Sequence, residues 1–341
     1  MRYATRVDIG QVKARKGAVN EDSVSTLVFD ETHRDSQRQA VGAFVLADGA
    51  GGHDDGDVAS YLATTVVPDE LSDLLLRLGR GENAVLDELS VDDSELPEAP
   101  AEDEIVGAIE SAIQAAHEEI TTHPDLGDGA TTIVVGVYAR GRLHVGWVGD
   151  SRAYVINQSN RSIEQITQDH SVVEQYVQEG SVSEAVARVH DNNNVITRAV
   201  GGSNSTVETN VVDIYGDDVV LFTSDGLIDA YDRSEQLYQR FLRNREDDAA
   251  SIEEEILETV VTDDEILERV LHSDTLDLAA EQLIGLAKER GGADNISVLM
   301  FSDPDQQAIT ESTNPDQVRS YQRTEDEHDL EEGETITVDT N

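Results

Sequence analysis

The chain has 341 residues, and its 71 Asp and Glu residues outnumber its 24 Lys and Arg residues, so the formal net charge is -47. Nucleic-acid binding requires a clustered basic face, so this balance excludes nucleic acid as an expected partner. The absence of cysteine excludes disulfides and thiolate metal ligands. The sequence contains no run of 18 apolar residues, so it predicts no membrane-spanning helix.

The excess of acidic residues indicates a protein adapted to molar intracellular salt, as in a halophilic microbe. At about 1 M salt the Debye length falls to ~3 Å, which screens the repulsion between acidic groups. An ordinary protein with acidic tails is the alternative, but the only lysines in the whole chain are Lys13, Lys16 and Lys288. The N-terminal residues lack the apolar core of a signal peptide, so we expect a cytoplasmic location. We also expect a monomer.

Strand-like and helix-like patterns alternate in the first third of the chain. Alternating or continuous apolar residues predict strands over residues 3–10, 22–30 and 41–48. Helical spacing predicts helices over 57–78 and 105–120. The segment between these helices, about 79–104, is rich in Glu, Asp, Pro and Gly, and we interpret it as a solvated acidic insertion.

The remaining two thirds begin with a hairpin over residues 131–150, which turns at Arg140-Gly141-Arg142. The later elements are a strand over 151–157, helical residues over 171–189, strands over 206–214 and 218–223, a mostly helical region over 234–290 with an acidic interruption around 246–255, and a final strand over 296–301. Residues 303–341 are acidic and poor in apolar side chains, so we predict a disordered tail.

Hairpin strands with helices grouped before and after them predict an α+β fold, in which helices pack outside antiparallel sheets. A repeated alternation of strand and helix, typical of parallel sheets, is absent from the sequence. We therefore expect one domain over residues 1–302.

Three Asp residues follow or precede apolar runs at sharp turns. Asp48-Gly49 and Asp225-Gly226 each end an apolar run, and Asp294 stands between a Gly pair and the last strand. Three carboxylates brought together by folding make an all-oxygen site for hard divalent cations. This pattern predicts a metal-dependent hydrolase.

Eight short segments carry a family resemblance. They are VNED (19–22), DGAGGHDDG (48–56), GATT (129–132), GDSRAY (149–154), TQDHS (167–171), NVITRAVGG (194–202), SDGL (224–227) and GGADN (291–295). In this order they resemble the bacterial-type PPM or PP2C family of metal-dependent serine/threonine protein phosphatases. The resemblance covers residues 1 to about 302.

The resemblance implies an αββα sandwich, in which two antiparallel β-sheets are flanked by helices, and two Mn²⁺ or Mg²⁺ ions in a cleft at one end. Asp48 would bridge the ions, and the backbone carbonyl of Gly49 would bind the first of them. Asp225 and Asp294 would bind the second. Two such ions activate a water and stabilise the charge of a transferring phosphoryl group, which makes Asp48 and Asp225 the candidate catalytic residues.

The same resemblance implies roles for further residues. Glu21 and Asp22 would hold waters of the ions, and Asp150 would help to bind a third, weaker ion. The alternative for Asp150 is structural support of the adjacent Arg152. Residues 171–201 resemble the family's flap, a segment beside the active site that governs substrate access.

The chain departs from the family pattern in its phosphate-binding residue. Bacterial-type members carry an Arg three residues before the Asn of the VNED segment, where this chain has Gly17. Arg15 and Lys16 are the candidate replacements, and Arg6 is a more remote one. Arg fits phosphate better, because its planar fork donates two parallel hydrogen bonds.

A second departure concerns the general acid. Ala50 stands where animal members carry a His directly after Asp-Gly, and bacterial-type members lack this His as well. His53 and His170 lie in matching segments, and we interpret both as residues that structure their loops.

The function implied is hydrolysis of phosphoserine and phosphothreonine on proteins, which would counteract a Ser/Thr kinase. A regulatory-switch phosphatase of the same fold and a phosphoprotein-binding pseudophosphatase are the alternatives. The presence of Asp48, Asp225 and Asp294 argues against the pseudophosphatase. Gly17, which stands in place of the phosphate-binding Arg, leaves this alternative possible.

Overall fold

The computed structural model describes most of the chain. The described residues are 1–31, 39–50, 55–80, 100–124, 126–127, 129–229, 234–244, 249–306, 308 and 336–337. His53 and most of the predicted acidic insertion lie outside them. The ends of that insertion, at residues 79–80 and 102–104, belong to helices.

Two antiparallel sheets form the centre of the molecule. The strands of the first sheet are, in spatial order, β1 (Arg2–Asp8), β12 (Ile296–Ser302), β11 (Asp218–Thr223), β7 (Arg152–Asn157) and β8 (Ser162–Gln165). The strands of the second are β10 (Glu208–Asp213), β6 (Arg142–Val148), β5 (Ile133–Ala139), β3 (Gln39–Ala50) and β2 (Asp22–Glu31), and the short β4 (Ala130–Thr131) pairs with β3.

The described residues also form helices, four of which cover the outer faces of the sheets. They are α1 (Gln11–Lys16), α2 (Gly56–Arg80), α3 (Glu102–Thr122), α4 (Val172–Gln178), α5 (Glu184–Ala187), α6 (Ser234–Asn244), α7 (Ala249–Leu257), α8 (Asp263–Leu271) and α9 (Leu276–Glu289). Helices α2 and α3 share a hydrophobic core with the second sheet, and α8 and α9 share one with the first. The described part of the chain has no helix that combines the length and apolar character needed to cross a membrane.

A third core lies between the two sheets and contains five large buried aromatic side chains, Phe44, Tyr138, Trp147, Phe222 and Phe301. Strand β3 shows why its sequence is almost continuously apolar. Its even-numbered Phe44 and Leu46 enter the core between the sheets, whereas Val45 and its odd-numbered neighbours face the helices. Successive side chains of a strand point to opposite faces, and here both faces are buried. The layers helix, sheet, sheet, helix confirm the predicted αββα sandwich.

The structure differs from the sequence-based elements in several places, and strands β8 and β9 (Val195–Ile196) were not predicted. Helix α1 was not predicted. The acidic interruption predicted around 246–255 is wrong for its second half, because residues 249–257 form α7, with Ile252 and Ile256 buried on one face. Within the predicted disordered tail, Ile336–Thr337 form a strand, β13, that pairs with β9.

Candidate active site

The second sheet places two carboxylates next to each other at one end of the neighbouring strands β2 and β3. Asp22 is the first residue of β2, and it is the cross-strand partner of Asp48 near the end of β3. Directly opposed residues of an antiparallel pair have Cβ atoms about 4.5–5.5 Å apart. The register of this strand pair therefore holds both side chains at the same place.

The first sheet brings three more carboxylates together at one end of its inner strands. Strand β11 ends at Thr223, which is paired both with Arg152 at the start of β7 and with Val298 near the start of β12. Asp225 follows β11 in a short 3-10 turn, Asp225–Leu227. Asp150 precedes β7 and Asp294 precedes β12, so the three carboxylates meet at the same end of adjacent strands.

Ser224 joins the two sheets at this end. Its buried Oγ donates a hydrogen bond to Asp22 Oδ2 at 2.9 Å and accepts one from the backbone N–H of Ser297 at 3.0 Å. Asp22 Oδ1 is buried and has no hydrogen-bond partner among the described residues. One oxygen of this carboxylate is thus fixed, and the other is left for a ligand.

The five carboxylates repel one another, and this repulsion raises the pKa of Asp48. Burial raises the pKa of Asp48 well above its ordinary value, and four neighbours raise it further: Asp22, Asp225, Asp294 and Asp150. Burial also raises the pKa of Asp22 to about 6 and that of Asp150 to about 7. Buried carboxylates that repel one another favour protonation or a bound cation.

Lys13 is the cation that the structure places in this cluster. Its Nζ lies 2.5 Å from Asp294 Oδ1 and 2.8 Å from Glu21 Oε2, and it donates a hydrogen bond to Asn295 Oδ1 at 3.3 Å. Burial acts to lower the pKa of Lys13, but the two carboxylates outweigh it and the pKa lies above its ordinary value. The role of Lys13 could not be predicted from the sequence, because its partners Asp294 and Asn295 are distant in the sequence.

Asn295 ties the N-terminal segment to β12. Its Oδ1 accepts a hydrogen bond from the backbone N–H of Glu21 at 2.9 Å, and its Nδ2 donates one to the carbonyl of Ile9 at 3.1 Å. The carbonyl of Glu21 in turn accepts from the N–H of Gly49 at 3.0 Å. These bonds hold Glu21 beside the turn that follows Asp48, and the sequence analysis gave Asn295 no such role.

Two glycines permit the close backbone approaches at this site. A Cβ on Gly49 would lie 2.3 Å from the carbonyl oxygen of Gly56, and a Cβ on Gly226 would lie 1.9 Å from the carbonyl oxygen of Asn295. Real Cβ atoms do not come this near to backbone oxygens. The glycine of each Asp-Gly pair is therefore required by packing at the end of its strand.

Thr131 and Thr132 hold the backbone of Asp48. The Oγ1 of Thr131 and the N–H of Thr132 both donate to the Asp48 carbonyl at 2.8 Å, and Thr132 Oγ1 accepts from the Asp48 N–H at 3.2 Å. Both are buried, and they also fix the orientation of the Asp48 residue.

The surroundings of Asp150 bear on its two interpretations. The guanidinium of Arg152 engages Asp169, with Nη2 2.6 Å from Oδ2 and Nε 2.9 Å from Oδ1. His170 Nδ1 accepts a hydrogen bond from the N–H of Gly149 at 3.0 Å, which fits the loop-structuring role expected for this His. Arg152 is bound by Asp169, and its charge also acts to lower the pKa of Asp150, so both interpretations of Asp150 stay open.

The basic residues predicted to bind phosphate lie elsewhere. Arg15 and Lys16 are exposed on α1, and Arg15 donates to Gln11 Oε1 at 3.2 Å. Arg6 forms an exposed ion pair with Asp277 at 2.9 Å. The structure brings Lys13 from the same short helix to the carboxylates, and does not bring these three.

The donor set fits hard divalent cations, because it is buried, all-oxygen and rich in mutual repulsion. Within the described residues, however, no three His, Asp or Glu side chains are positioned to hold one metal ion as they stand. The ammonium of Lys13 explains part of this, because it ion-pairs with Asp294 and Glu21. A cation bound at Asp294 Oδ1 would compete with the Lys13 ammonium for that oxygen.

A cavity of about 420 Å³ opens beside Asp150 and Asp225. Its other walls come from the flap, including Val173, Glu174 and Arg188, and from Asp229 after the Asp225 turn. The cavity therefore lies between Asp150 and Asp225 on one side and residues of segment 171–201 on the other.

A family model described as "Protein phosphatase 2C" matches residues 9–263 of this chain. Among curated proteins, the chain is similar to the serine/threonine phosphatase stp of Listeria monocytogenes, with 28% identity over 261 residues, which is 75% of this chain and 82% of that protein. It is also similar to the serine/threonine protein phosphatase PstP of Mycobacterium tuberculosis, with 27% identity over 88% of this chain and 44% of that protein.

Solved structures give the same result. The crystal structure of the Mycobacterium tuberculosis phosphatase PstP matches with a TM-score of 0.58 and 27% identity, over 88% of this chain and 97% of that one. A structure of the PstP catalytic domain in complex with two manganese ions matches with a TM-score of 0.56 and 26% identity, over 88% of this chain and 96% of that one.

Proposed function

Since the chain belongs to the protein phosphatase 2C family, we propose that it is a metal-dependent serine/threonine protein phosphatase with two Mn²⁺ or Mg²⁺ ions as cofactors. Its substrates are the phosphate monoesters of phosphoserine and phosphothreonine side chains. One structural observation carries this function. The ends of two sheets bring five buried or half-buried Asp carboxylates together, and two of them, Asp150 and Asp225, line an open cavity.

The residues that hold the cations form part of the proposal. Asp48, Asp225, Asp294 and the carbonyl of Gly49 would be ligands, with Glu21 and Asp22 behind them and Asp150 available to a third ion. When bound, the divalent cations supply Lewis-acid activation of a water and offset the charge of the phosphoryl group. The chain's own contribution is orientation: Ser224 fixes Asp22, Asn295 fixes the Glu21 backbone, and the two Thr residues before β5 fix Asp48.

We assign the phosphate-binding cation to Lys13. Its side chain reaches the carboxylate cluster from the helix that also carries Arg15 and Lys16. Once cations bind Asp294, the Lys13 ammonium loses this partner and can interact with phosphate oxygens instead. A lysine binds phosphate as a point charge, without the two-pronged geometry of an arginine.

Phosphorylated proteins are the partners that follow from this function. That the enzyme counteracts a Ser/Thr kinase is a proposal, supported by the chemistry of the substrate. The alternative of a phosphoprotein-binding pseudophosphatase is not favoured, because the carboxylates that a catalytic member needs are present and clustered. The cytoplasmic location and the monomeric state stay predictions from the sequence.

Turnover of p-nitrophenyl phosphate and of a phosphothreonine peptide tests the function. In molar KCl we expect turnover with Mn²⁺ and none with EDTA. Asp225→Asn should lower kcat by about a hundredfold or more, because it removes a charged cation ligand from the cluster. The far-UV circular dichroism of the variant should be unchanged. Asp274→Asn, at an exposed position, is the matched control and should retain full activity. Full activity of Asp225→Asn would contradict the assignment.

A further inference from the structure

A small hydrophobic core lies apart from the three cores of the sandwich. It joins the flap to the two helices that follow the Asp225 turn. The flap contributes Val186 and Val189, and α6, α7 and the residues after them contribute Leu237, Tyr238, Phe241, Ile252, Ile256 and Val260. These side chains are all buried. We call α6 and α7 together the helix pair.

Polar and aromatic contacts reinforce this junction. Ser183 Oγ in the flap donates a hydrogen bond to Glu253 Oε1 of α7 at 2.8 Å. The ring of His190 lies between Tyr176 of the flap, at 5.4 Å, and Tyr238 of α6, at 4.6 Å. Both ends of α5 are therefore attached to the helix pair.

The junction is continuous with the wall of the catalytic cavity. Ala187 and Arg188 line the cavity, and their neighbours Val186 and Val189 are the residues that pack against the helix pair. Arg188 also lies 3.6 Å from Asp229, which follows Asp225 by one turn. A shift of the helix pair would move this wall relative to the carboxylate cluster.

From these contacts we propose that the helix pair is a clamp that fixes the flap, and so sets which protein substrates reach the cluster. The proposal rests on the phosphatase function given above and adds the element that positions its flap. A small phosphate ester needs only the cluster, whereas a phosphoprotein must also fit between the cluster and the flap wall. The clamp therefore acts on protein substrates and leaves small esters unaffected.

Amide hydrogen exchange tests the clamp without relying on activity. Leu237→Ala and Ile256→Ala remove buried side chains of the junction, which are 1% and 0% exposed. Leu242→Ala and Leu257→Ala are matched controls on the same two helices, because those leucines are 48% and 46% exposed. We expect exchange of residues 172–200 to become about tenfold faster in the first two variants only, since a cavity in the junction favours local opening of the flap.

Strands β5 and β11 should keep their protection in all four variants. Unchanged exchange in the flap would overturn the clamp. Faster exchange across both sheets would also overturn it, because the helix pair would then support the whole sandwich rather than the flap.

Kinetics test the effect on access. In Leu237→Ala and Ile256→Ala we expect KM for a phosphoprotein to change by about threefold or more, with kcat/KM for p-nitrophenyl phosphate within about twofold of the unmodified enzyme. An equal loss for both substrates would overturn the assignment, because the helix pair would then support the catalytic centre itself. An unmodified enzyme that turns over neither substrate would refute the phosphatase function, while the exchange result would still decide whether the clamp exists.

Discussion

The most consequential single residue at the site is Lys13, because it faces two opposing demands. Its ammonium neutralises Asp294 and Glu21 in the structure, and the same carboxylates belong to the cluster that takes divalent cations. A fixed positive charge next to a cation site weakens cation binding by Coulomb repulsion. A positive charge next to a bound phosphate strengthens substrate binding. Lys13 therefore weakens the binding of divalent cations and strengthens the binding of the phosphate substrate.

This reasoning predicts opposite effects of Lys13→Ala on the two ligands. Removing the ammonium should tighten Mn²⁺ binding several-fold in isothermal titration calorimetry, because the competing charge is gone. It should also raise KM for p-nitrophenyl phosphate, because the phosphate loses a partner. Lys13→Arg should restore KM, and Lys16→Ala, at an exposed position on the same helix, should change neither quantity. Weaker Mn²⁺ binding in Lys13→Ala would contradict the competition.

At the same scale, the sequence revealed the acids better than the groups that position them. Asp48 and Asp225 could be identified because each follows an apolar strand and precedes Gly. Lys13 could not, because its role depends on contacts with Asp294 and Asn295 that only the folded chain creates. Counting back from Asn20 led to Arg15 and Lys16. That count took no account of α1, which turns those two side chains to solvent.

At the scale of elements, strands were predicted well and short helices poorly. Strands such as β5 and β11 are buried along their whole length, so their sequences are continuously apolar. Helix α1 has only six residues and buries none of them, so it leaves no hydrophobic period in the sequence. In α7 the run Glu253-Glu254-Glu255 suggested a solvated stretch, although Ile252 and Ile256 stand one turn apart on a buried face.

Two glycines give a prediction that separates close packing from helix propensity. Gly226→Ala should destabilise the protein, because its Cβ would overlap the Asn295 carbonyl and push apart the ends of β11 and β12. Gly285 lies inside α9 and its Cβ would meet nothing within 4 Å. Gly285→Ala should therefore raise the free energy of unfolding by about 0.5–1 kcal/mol, through helix propensity alone.

Urea unfolding in molar KCl measures both effects. If Gly226→Ala were as stable as the unmodified protein, the close approach of the two strand ends would be refuted. If Gly285→Ala lowered stability, the open environment of that helix position would be refuted.

At the scale of the whole molecule, the buried carboxylates make stability depend on pH. Burial raises the pKa values of Asp22 and Asp229 to about 6 and that of Asp150 to about 7, from 3.8. The folded protein thus binds protons that the unfolded chain has already released. The stability from these groups is complete below about pH 4, and it is lost as the pH rises through 6 and 7.

We therefore expect the Tm of the protein in EDTA to fall by several degrees between pH 5 and pH 8. Millimolar Mn²⁺ should reduce this fall, because a bound cation offsets the repulsion between the charged carboxylates. Asp150→Asn should also reduce the fall, since it removes one of the groups. Thermal unfolding by circular dichroism measures both, and a Tm in EDTA that is equal at pH 5 and pH 8 would contradict the expected pH dependence.

Salt is the other variable that acts on the whole molecule. Because the net charge is -47, folding brings many acidic groups close to one another. Many of these groups lie within helices and strands. The first turn of α3 has Glu102, Asp103 and Glu104, and the first turn of α8 has Asp263, Asp264 and Glu265. The like charges within each run repel one another. The helix N-terminus and the ion pairs Glu102–Arg142, Glu104–Arg77 and Glu265–Arg290 offset only part of this repulsion.

Because the Debye length shrinks from about 8 Å at 0.15 M to about 3 Å at 1 M salt, screening should remove most of this repulsion. We expect Tm to rise steeply with KCl up to molar concentration, and the fold to be lost on dilution well below it. Sucrose at matched osmolarity is the control, because it is excluded from protein surfaces without screening charge. A Tm that is the same in dilute buffer and in molar KCl would contradict adaptation to high salt. A rise in Tm that sucrose reproduces in full would show that solute exclusion, and not charge screening, stabilises the protein.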